Sequence, residues 1–201
     1  MDLPSMRRWL DRLPGGIDAH PQCMVKSAPF RDAVESKPLD GVIEQLPAPV
    51  AELVRYPPPV SAWIPETHAL CALIATLDAH FSSDPAGREA YEQWVYDRNR
   101  RLLLKPLYRA LFLLLTPDRL LRGMESRWAA FRKGTNLVLL EHEGSHAKAR
   151  VEFPYHLYDD TVILGMTAAF RAAVEAAGAR HTQIRCLSLT SVSADVEMNW
   201  R

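Results

Sequence analysis

The stretch NLVLLEHEGSHAKARVEF, residues 136–153, decides the fold class of this chain. After Glu143-Gly144-Ser145, the apolar residues up to Phe153 alternate strictly with polar or charged ones. Alternation with a period of two is typical of a β-strand that buries one face. Since the residues before the glycine are rich in leucine and valine, the stretch predicts a β-hairpin with a short glycine-containing turn.

The residues downstream of this hairpin predict one helix and a second pair of strands. Residues 159–177 carry apolar side chains at helical spacing, and Gly178 follows as a helix-ending residue. Strands are predicted at 181–189 and 194–200, the second of which alternates as Val196, Met198 and Trp200. The C-terminal two-fifths is therefore predicted as hairpin, helix, hairpin.

Upstream of residue 134 the apolar spacing is helical. Helices are predicted at 66–81, 85–104, 107–115 and 117–133, and Asp84-Pro85 and Thr116-Pro117 supply an N-cap followed by a first-turn proline. Eleven of the 15 prolines lie in residues 1–65 and break that part into short pieces. We predict a proline-rich extension over 1–38 and a single α+β domain over 39–201. In this domain a helical part, 39–134, packs on an antiparallel sheet of about four strands within 135–201.

The composition excludes several classes of function. The 24 Lys and Arg residues balance the 24 Asp and Glu residues, so the chain lacks the bulk positive charge that nucleic-acid or anionic-membrane binding requires. The most apolar stretch, 102–115, contains two basic residues and a proline and is shorter than a bilayer span of about 20 residues. Cys23, Cys71 and Cys186 lie far apart, which indicates reduced thiols and a cytoplasmic location.

The most specific motif is His142-Glu143-Gly144-Ser145-His146, which matches the H-E-x-x-H pattern. On a helix, both histidines of this pattern bind Zn²⁺ from one face and the glutamate activates the metal-bound water. Here the motif spans the predicted turn, and we favour a solvated turn with both imidazoles exposed. Two alternatives remain: a surface metal site between His142 and His146, and a metal-dependent hydrolase that uses Glu143 as well.

A series of residues spread along the chain also resembles the pattern of known families. The residues that carry the resemblance are Trp94, Asn99, Leu103-Leu104, Pro106-Leu107-Tyr108-Arg109, Trp128, Phe131, Gly134-Thr135, Pro154, Phe170-Arg171, Gly178-Ala179 and Trp200. From about Leu39 to its end, the chain resembles a large myxobacterial-type family of uncharacterised proteins. More distantly, its two-hairpin unit is similar to the ligand-binding domains of the four-vinyl-reductase and haem nitric-oxide-binding group, in which helices and an antiparallel sheet enclose a small molecule.

This distant resemblance implies a small-molecule site between 102–115 and the helix at 159–177. Its predicted lining residues are Cys71, Leu107, Leu111, Met166 and Phe170. The chain lacks both the Tyr-x-Ser-x-Arg motif of the haem group and the cysteine cluster of some four-vinyl-reductase domains. No cofactor is therefore predicted, and zinc at His142 and His146 belongs only to the alternative interpretation.

The function we expect is that of a non-enzymatic cytoplasmic binding module. It senses an apolar small molecule or recognises a protein partner. Whether its apolar centre is a cavity or a solid core, and whether it forms a homo-oligomer, are left open. A metal-dependent hydrolase is the alternative. Trp128, Phe131, Phe170 and Trp200 are expected to be mostly buried where the last helices meet the sheet.

Overall fold

A computed structural model describes residues 2–105 and 115–201. The described α-helices are α1 (Pro4–Arg12), α2 (Ser27–Ser36), α3 (Ala48–Arg55), α4 (Glu66–His80), α5 (Pro85–Leu103), α6 (Pro117–Arg122), α7 (Met124–Phe131) and α8 (Asp160–Ala176). Short 3-10 helices lie at Gly16–Asp18 and Asp40–Gln45. The predicted helix at 107–115 falls almost entirely outside the described residues.

The described strands form two antiparallel sheets. The strands are β1 (Met24–Lys26), β2 (Trp63–Pro65), β3 (Arg132–Lys133), β4 (Asn136–Glu143), β5 (His146–Glu152), β6 (Gln183–Leu189) and β7 (Ser193–Asn199). The large sheet has the order β4-β5-β7-β6, and the small sheet has the order β2-β1-β3. The α+β class and the four-stranded antiparallel sheet are thus confirmed, whereas the small sheet was not predicted.

Local capping fixes where the helices begin. The Asp84 carboxylate accepts a hydrogen bond from the Gly87 amide at 2.7 Å, and Thr116 and Asp159 cap α6 and α8 in the same way. One prediction was wrong in detail, because the helix expected over 117–133 is interrupted at Gly123. There Arg127 Nη1 donates hydrogen bonds to the carbonyls of Arg119 and Leu120. The Arg127 side chain thus supplies donors to carbonyl groups in the last turn of α6.

One hydrophobic cluster joins the helices to the large sheet. Ala147, Ala149 and Val151 are fully buried on the inner face of β5, and small side chains there let helices approach closely. The indole of Trp9 in α1 donates to the Leu157 carbonyl at 3.0 Å, so the first helix is fixed to the segment after β5. The first 38 residues contribute α1 and α2 to this cluster, and the boundary proposed at residue 38 stays a prediction.

The four aromatic residues expected at the junction of helices and sheet differ in burial. Trp200 is buried, and Trp128 and Phe170 are partly buried against the core. Phe131 is 41% exposed, contrary to the prediction. It is the last residue of α7, and the chain turns there into β3, which carries its ring away from the core. Within the described residues, no helix is both long and apolar enough to cross a membrane.

Candidate functional site

The H-E-x-x-H segment forms the predicted hairpin and does not bring its two histidines together. The register pairs His142 with Ala147 and Glu143 with His146, so the two imidazoles project from opposite faces of the sheet. His142 points inward with its side chain only 11% exposed, and His146 points outward within 3.4 Å of Glu197. The prediction that both rings are largely exposed was therefore wrong, because His142 is nearly buried and the His146 side chain is only 35% exposed. The shared metal site does not form, because one ion cannot reach both faces.

The predicted lining residues of a small-molecule site lie in or beside the main core. Cys71 in α4 and Met166 in α8 are buried members of the hydrophobic cluster, and Phe170 is partly buried against it. Burial raises the pKa of the Cys71 thiol to about 12, so this side chain behaves as an apolar group at neutral pH. Leu107 and Leu111 lie outside the described residues. The role of these five residues as a ligand site stays a prediction.

A charged side chain that the sequence did not single out lies inside the core at the start of α4. Glu66 is 0% exposed, and its amide donates to the Cys23 carbonyl at 2.9 Å. Its Oε1 accepts hydrogen bonds from Arg132 Nη1 and from the Tyr158 hydroxyl, the latter at 2.5 Å. Its Oε2 is buried and has no hydrogen-bond partner among residues 2–105 and 115–201. Among the described residues that have a buried polar atom without a partner, Glu66 is the most deeply buried.

Aromatic rings surround the guanidinium that pairs with Glu66. The Arg132 guanidinium lies 4.7 Å from the centroid of the Trp128 ring and 5.8 Å from that of Tyr158, and Nη1 also donates to the Tyr158 hydroxyl. Burial raises the pKa of Tyr158, so its hydroxyl remains a donor to Glu66. We call Glu66, Arg132, Tyr158 and Trp128 the Glu66 cluster. Its Trp128 ring lies 6.2 Å from Phe170, which connects the cluster to a predicted lining residue.

The small sheet holds Arg132 in this position. Arg132 pairs with Val25 of β1, and Val25 pairs in turn with Ile64 of β2, just before α4 begins. After β3 the chain turns at Gly134, whose φ of +77° is unfavourable for residues with a side chain. A Cβ at Gly134 would lie only 2.7 Å from Cys23 Sγ, so the turn also requires glycine for space.

An open groove of about 390 Å³ lies at the end of β5, partly on the outer face of the large sheet. It is lined by Gly134, Asn136, Arg150, Glu152, Phe153, Pro154, Val192 and Ser193. Phe153 forms part of the groove wall, and its ring also contacts Tyr158 with a centroid separation of 4.6 Å. Phe153 thus separates the groove from Tyr158, and no residue of the Glu66 cluster lines the groove.

Sequence reasoning missed this cluster because its members look ordinary locally. Glu66 reads as an acidic residue in the first turn of a helix, and Arg132 as a basic residue just after the end of one, both of which favour the helix dipole. They are 66 positions apart in the chain. The only available signal was Pro65-Glu66 directly before a strongly apolar helix, which does not by itself predict a buried charge.

Comparisons with known proteins relate the chain to one fold. No family model and no curated protein matches its sequence, so the resemblance to a myxobacterial family is not confirmed. Among solved structures, the Fe(II) unliganded H-NOX protein from K. algicida has a TM-score of 0.60 at 10% identity, covering 88% of this chain and 96% of that one. A mutant of that protein gives a TM-score of 0.61 at 11% identity over the same shares.

An oxygen-binding H-NOX domain related to soluble guanylate cyclases, solved as its oxygen complex, is also similar. Its TM-score is 0.58 at 6% identity, covering 87% of this chain and 92% of that one. These likenesses show that the chain has the fold of H-NOX domains. They confirm at the level of fold the predicted distant resemblance to the haem nitric-oxide-binding group.

Several described side chains of the kinds that bind iron are protonated or held in other contacts. In the described part of the chain there is no group of three or more His, Cys, Asp or Glu residues that could hold a metal ion. The buried thiol of Cys71 stays protonated at neutral pH. The Nε2 atom of His80 is hydrogen-bonded to the Pro38 carbonyl. His142 has a free Nε2, but its ring lies between Trp200 and Asp118, at 6.0 Å from the Trp200 ring. Residues 106–114 contain no His, Cys or Met.

Proposed function

We propose that this chain is a non-enzymatic module that senses a small molecule at the Glu66 cluster without using haem. The observation that carries the proposal is the fully buried Glu66 carboxylate with one unpaired oxygen, Oε2. An unsatisfied buried acceptor costs about 1–3 kcal/mol, so such a group persists where a partner supplies the missing hydrogen bond. The H-NOX fold supports the proposal, since domains of this fold include an oxygen-binding one.

The surroundings of Glu66 define the chemistry of the ligand. Glu66 Oε2 requires an N–H or O–H donor, whereas the Arg132 side chain, 22% exposed, has further N–H groups for an acceptor. The Trp128 ring provides aromatic surface beside Arg132, and Phe170 packs against Trp128. The ligand is accordingly small and largely apolar, with a hydrogen-bond donor and an acceptor close together. Cys71, Met166 and Phe170 are the proposed contacts of its apolar part.

The test is native mass spectrometry of the purified protein beside two matched variants. Glu66→Gln keeps the shape of the side chain and removes its charge. Glu175→Gln is the control, because Glu175 also accepts a hydrogen bond from a tyrosine hydroxyl, that of Tyr96, but outside the cluster. We expect a small molecule to be retained by the wild-type and Glu175→Gln proteins and to be reduced at least tenfold in Glu66→Gln. A ligand-free wild-type protein, or equal retention by all three, would refute the proposal.

A second measurement tests the haem-free part of the proposal. The purified protein is titrated with haemin while its visible absorption is recorded. We expect no sharpened Soret band with a one-to-one end point, because the chain lacks the Tyr-x-Ser-x-Arg motif of the haem group and the thiol of Cys71 stays protonated. A stoichiometric, sharpened Soret band would show that haem is bound and would contradict the proposal.

A further inference from the structure

The outer face of the small sheet presents two cations around one aromatic ring. Lys26 Nζ lies 4.1 Å and Lys133 Nζ 4.3 Å from the centroid of the Trp63 ring. Lys26 pairs with Trp63 in the register, and Lys133 pairs with Met24, so these side chains share the face opposite to Val25 and Ile64. We call Lys26, Trp63 and Lys133 the Trp63 face. Trp63 and Lys26 are half-buried, and Lys133 is exposed.

The charges of the Trp63 face are not neutralised by the described part of the chain. Neither Lys26 nor Lys133 forms an ion pair with a described carboxylate, although Lys26 Nζ donates to the Ser61 carbonyl at 2.8 Å. The outer face of the large sheet shows the opposite arrangement. There Lys148 pairs with Glu141, Arg150 with Asp195, and Arg185 with Glu197. The chain has no net charge, and the charges on the outer face of the large sheet are paired with one another. The Trp63 face, by contrast, carries positive charge that no described carboxylate neutralises.

We propose that the Trp63 face is a docking surface for an acidic segment of a partner protein. Two ammonium groups beside one indole fit carboxylates that flank an apolar side chain, and complementary charge would steer such a segment to this face. A protein segment is favoured over a nucleic acid, because the chain lacks the extended positive charge needed to follow a phosphate backbone. The proposal goes beyond small-molecule sensing, and docking itself does not depend on the ligand.

The strand β3 connects the Trp63 face to the Glu66 cluster. Arg132 and Lys133 are neighbours in β3, and they project to opposite faces of the same short strand. Arg132 contacts Glu66 in the core, and Lys133 contacts Trp63 at the surface. A ligand that repositions Arg132 therefore acts on the strand that also carries Lys133.

Fluorescence anisotropy with a labelled peptide tests the docking proposal. The probe is a fluorescein-labelled peptide with four aspartates and two leucines, measured at low salt against the full chain. We expect wild-type protein to bind it, and Lys26→Gln and Lys133→Gln each to weaken binding about three- to fivefold, as expected for surface charge pairs. Lys37→Gln is the matched control, because Lys37 also lies over an aromatic ring, 5.1 Å from the centroid of Phe81, but elsewhere on the molecule.

Four outcomes would overturn the docking proposal. The first is no binding by the wild-type protein, and the second is an equal loss of affinity in Lys37→Gln. The third is equal or tighter binding of a single-stranded oligonucleotide of the same charge. The fourth is equal or tighter binding of the peptide with asparagine in place of aspartate. The peptide assay contains no small molecule, so its result is separate from that of the test of the proposed ligand site.

Discussion

Glu66 and Arg132 depend on each other because both lie in surroundings of low polarity. Removal of one partner of a buried pair leaves an uncompensated charge, which typically costs about 3–5 kcal/mol. We expect Arg132→Met to lower the free energy of unfolding by about 3 kcal/mol, since Glu66 is fully buried and loses its counter-charge. The measurement is urea unfolding followed by circular dichroism.

The double variant Glu66→Leu/Arg132→Met tests the cause of this loss. With both charges absent, the core holds two apolar side chains, so we expect the double variant to be more stable than Arg132→Met alone. Strictly additive losses would mean that the two side chains act independently, contrary to the contact between them.

The three cysteines differ in the accessibility and protonation of their thiols. Cys71 and Cys23 are buried, and Cys186 is exposed. Because the pKa of Cys71 is about 12, only about one in ten thousand of its thiols is ionised at pH 8. With an aromatic disulfide reagent at pH 8, we expect one thiol, that of Cys186, to react in the native protein and all three to react after unfolding. Rapid reaction of Cys186→Ser would contradict this assignment.

The raised pKa of Cys71 also predicts how the stability of the protein changes at alkaline pH. The unfolded thiol of Cys71 titrates near pH 9, and the folded one near 12, so the folded state holds the proton more tightly. Its contribution to stability is complete below pH 9 and is lost as the pH rises towards 12. We expect the melting temperature of Cys71→Ala to fall less steeply above pH 9 than that of the wild-type protein. Parallel pH profiles would mean that Cys71 is not the titrating group.

At the scale of elements, β7 joins the large sheet together and ends beside a buried indole. β7 pairs with β5 on one side and β6 on the other, and the amide of Trp200 donates to the Ser145 carbonyl at 3.1 Å. Truncation of a buried aromatic side chain typically costs about 3–5 kcal/mol. We expect Trp200→Ala to lose about 3 kcal/mol, measured by thermal unfolding, although it is the penultimate residue.

Leu187 provides a control in the neighbouring strand. It lies at the irregularity between Cys186 and Ser188 in β6, and it is exposed. Leu187→Ala should change the stability by less than about 0.5 kcal/mol, as exposed positions usually do. If Trp200→Ala were no less stable than Leu187→Ala, the end of β7 would contribute nothing to the packing of the sheet.

At the scale of the whole molecule, one core requires both ends of the chain. Leu3, Trp9 and Phe30 are fully buried in the cluster that also contains Met198 of β7. We expect a variant beginning at residue 39 to lose cooperative unfolding, because its remaining core would be exposed where α1 and α2 pack. Differential scanning calorimetry measures this directly. A sharp transition in the shortened chain would instead support residues 39–201 as an independent domain.

The sequence by itself determined the elements whose signals are local. The alternation around Ala147, Ala149 and Val151 predicted the hairpin, and Asp84 and Thr116 marked helix starts, since an N-cap depends only on neighbours within a few residues. The α+β class and the large sheet followed from the change of period near residue 135. A strand of two or three residues has no readable period, which is why the small sheet of β1, β2 and β3 was not predicted.

Only the tertiary structure decided which side chains meet. His142 and His146 have the spacing of a zinc motif, but the hairpin places them on opposite faces of the sheet. Nothing in the sequence indicates that Glu66 and Arg132 are in contact. They are 66 positions apart in the chain, and the small sheet brings them together. The physical reason is that conformation follows from local sterics and hydrogen bonding. Burial and pairing of charges, by contrast, depend on packing between segments that are distant in the chain.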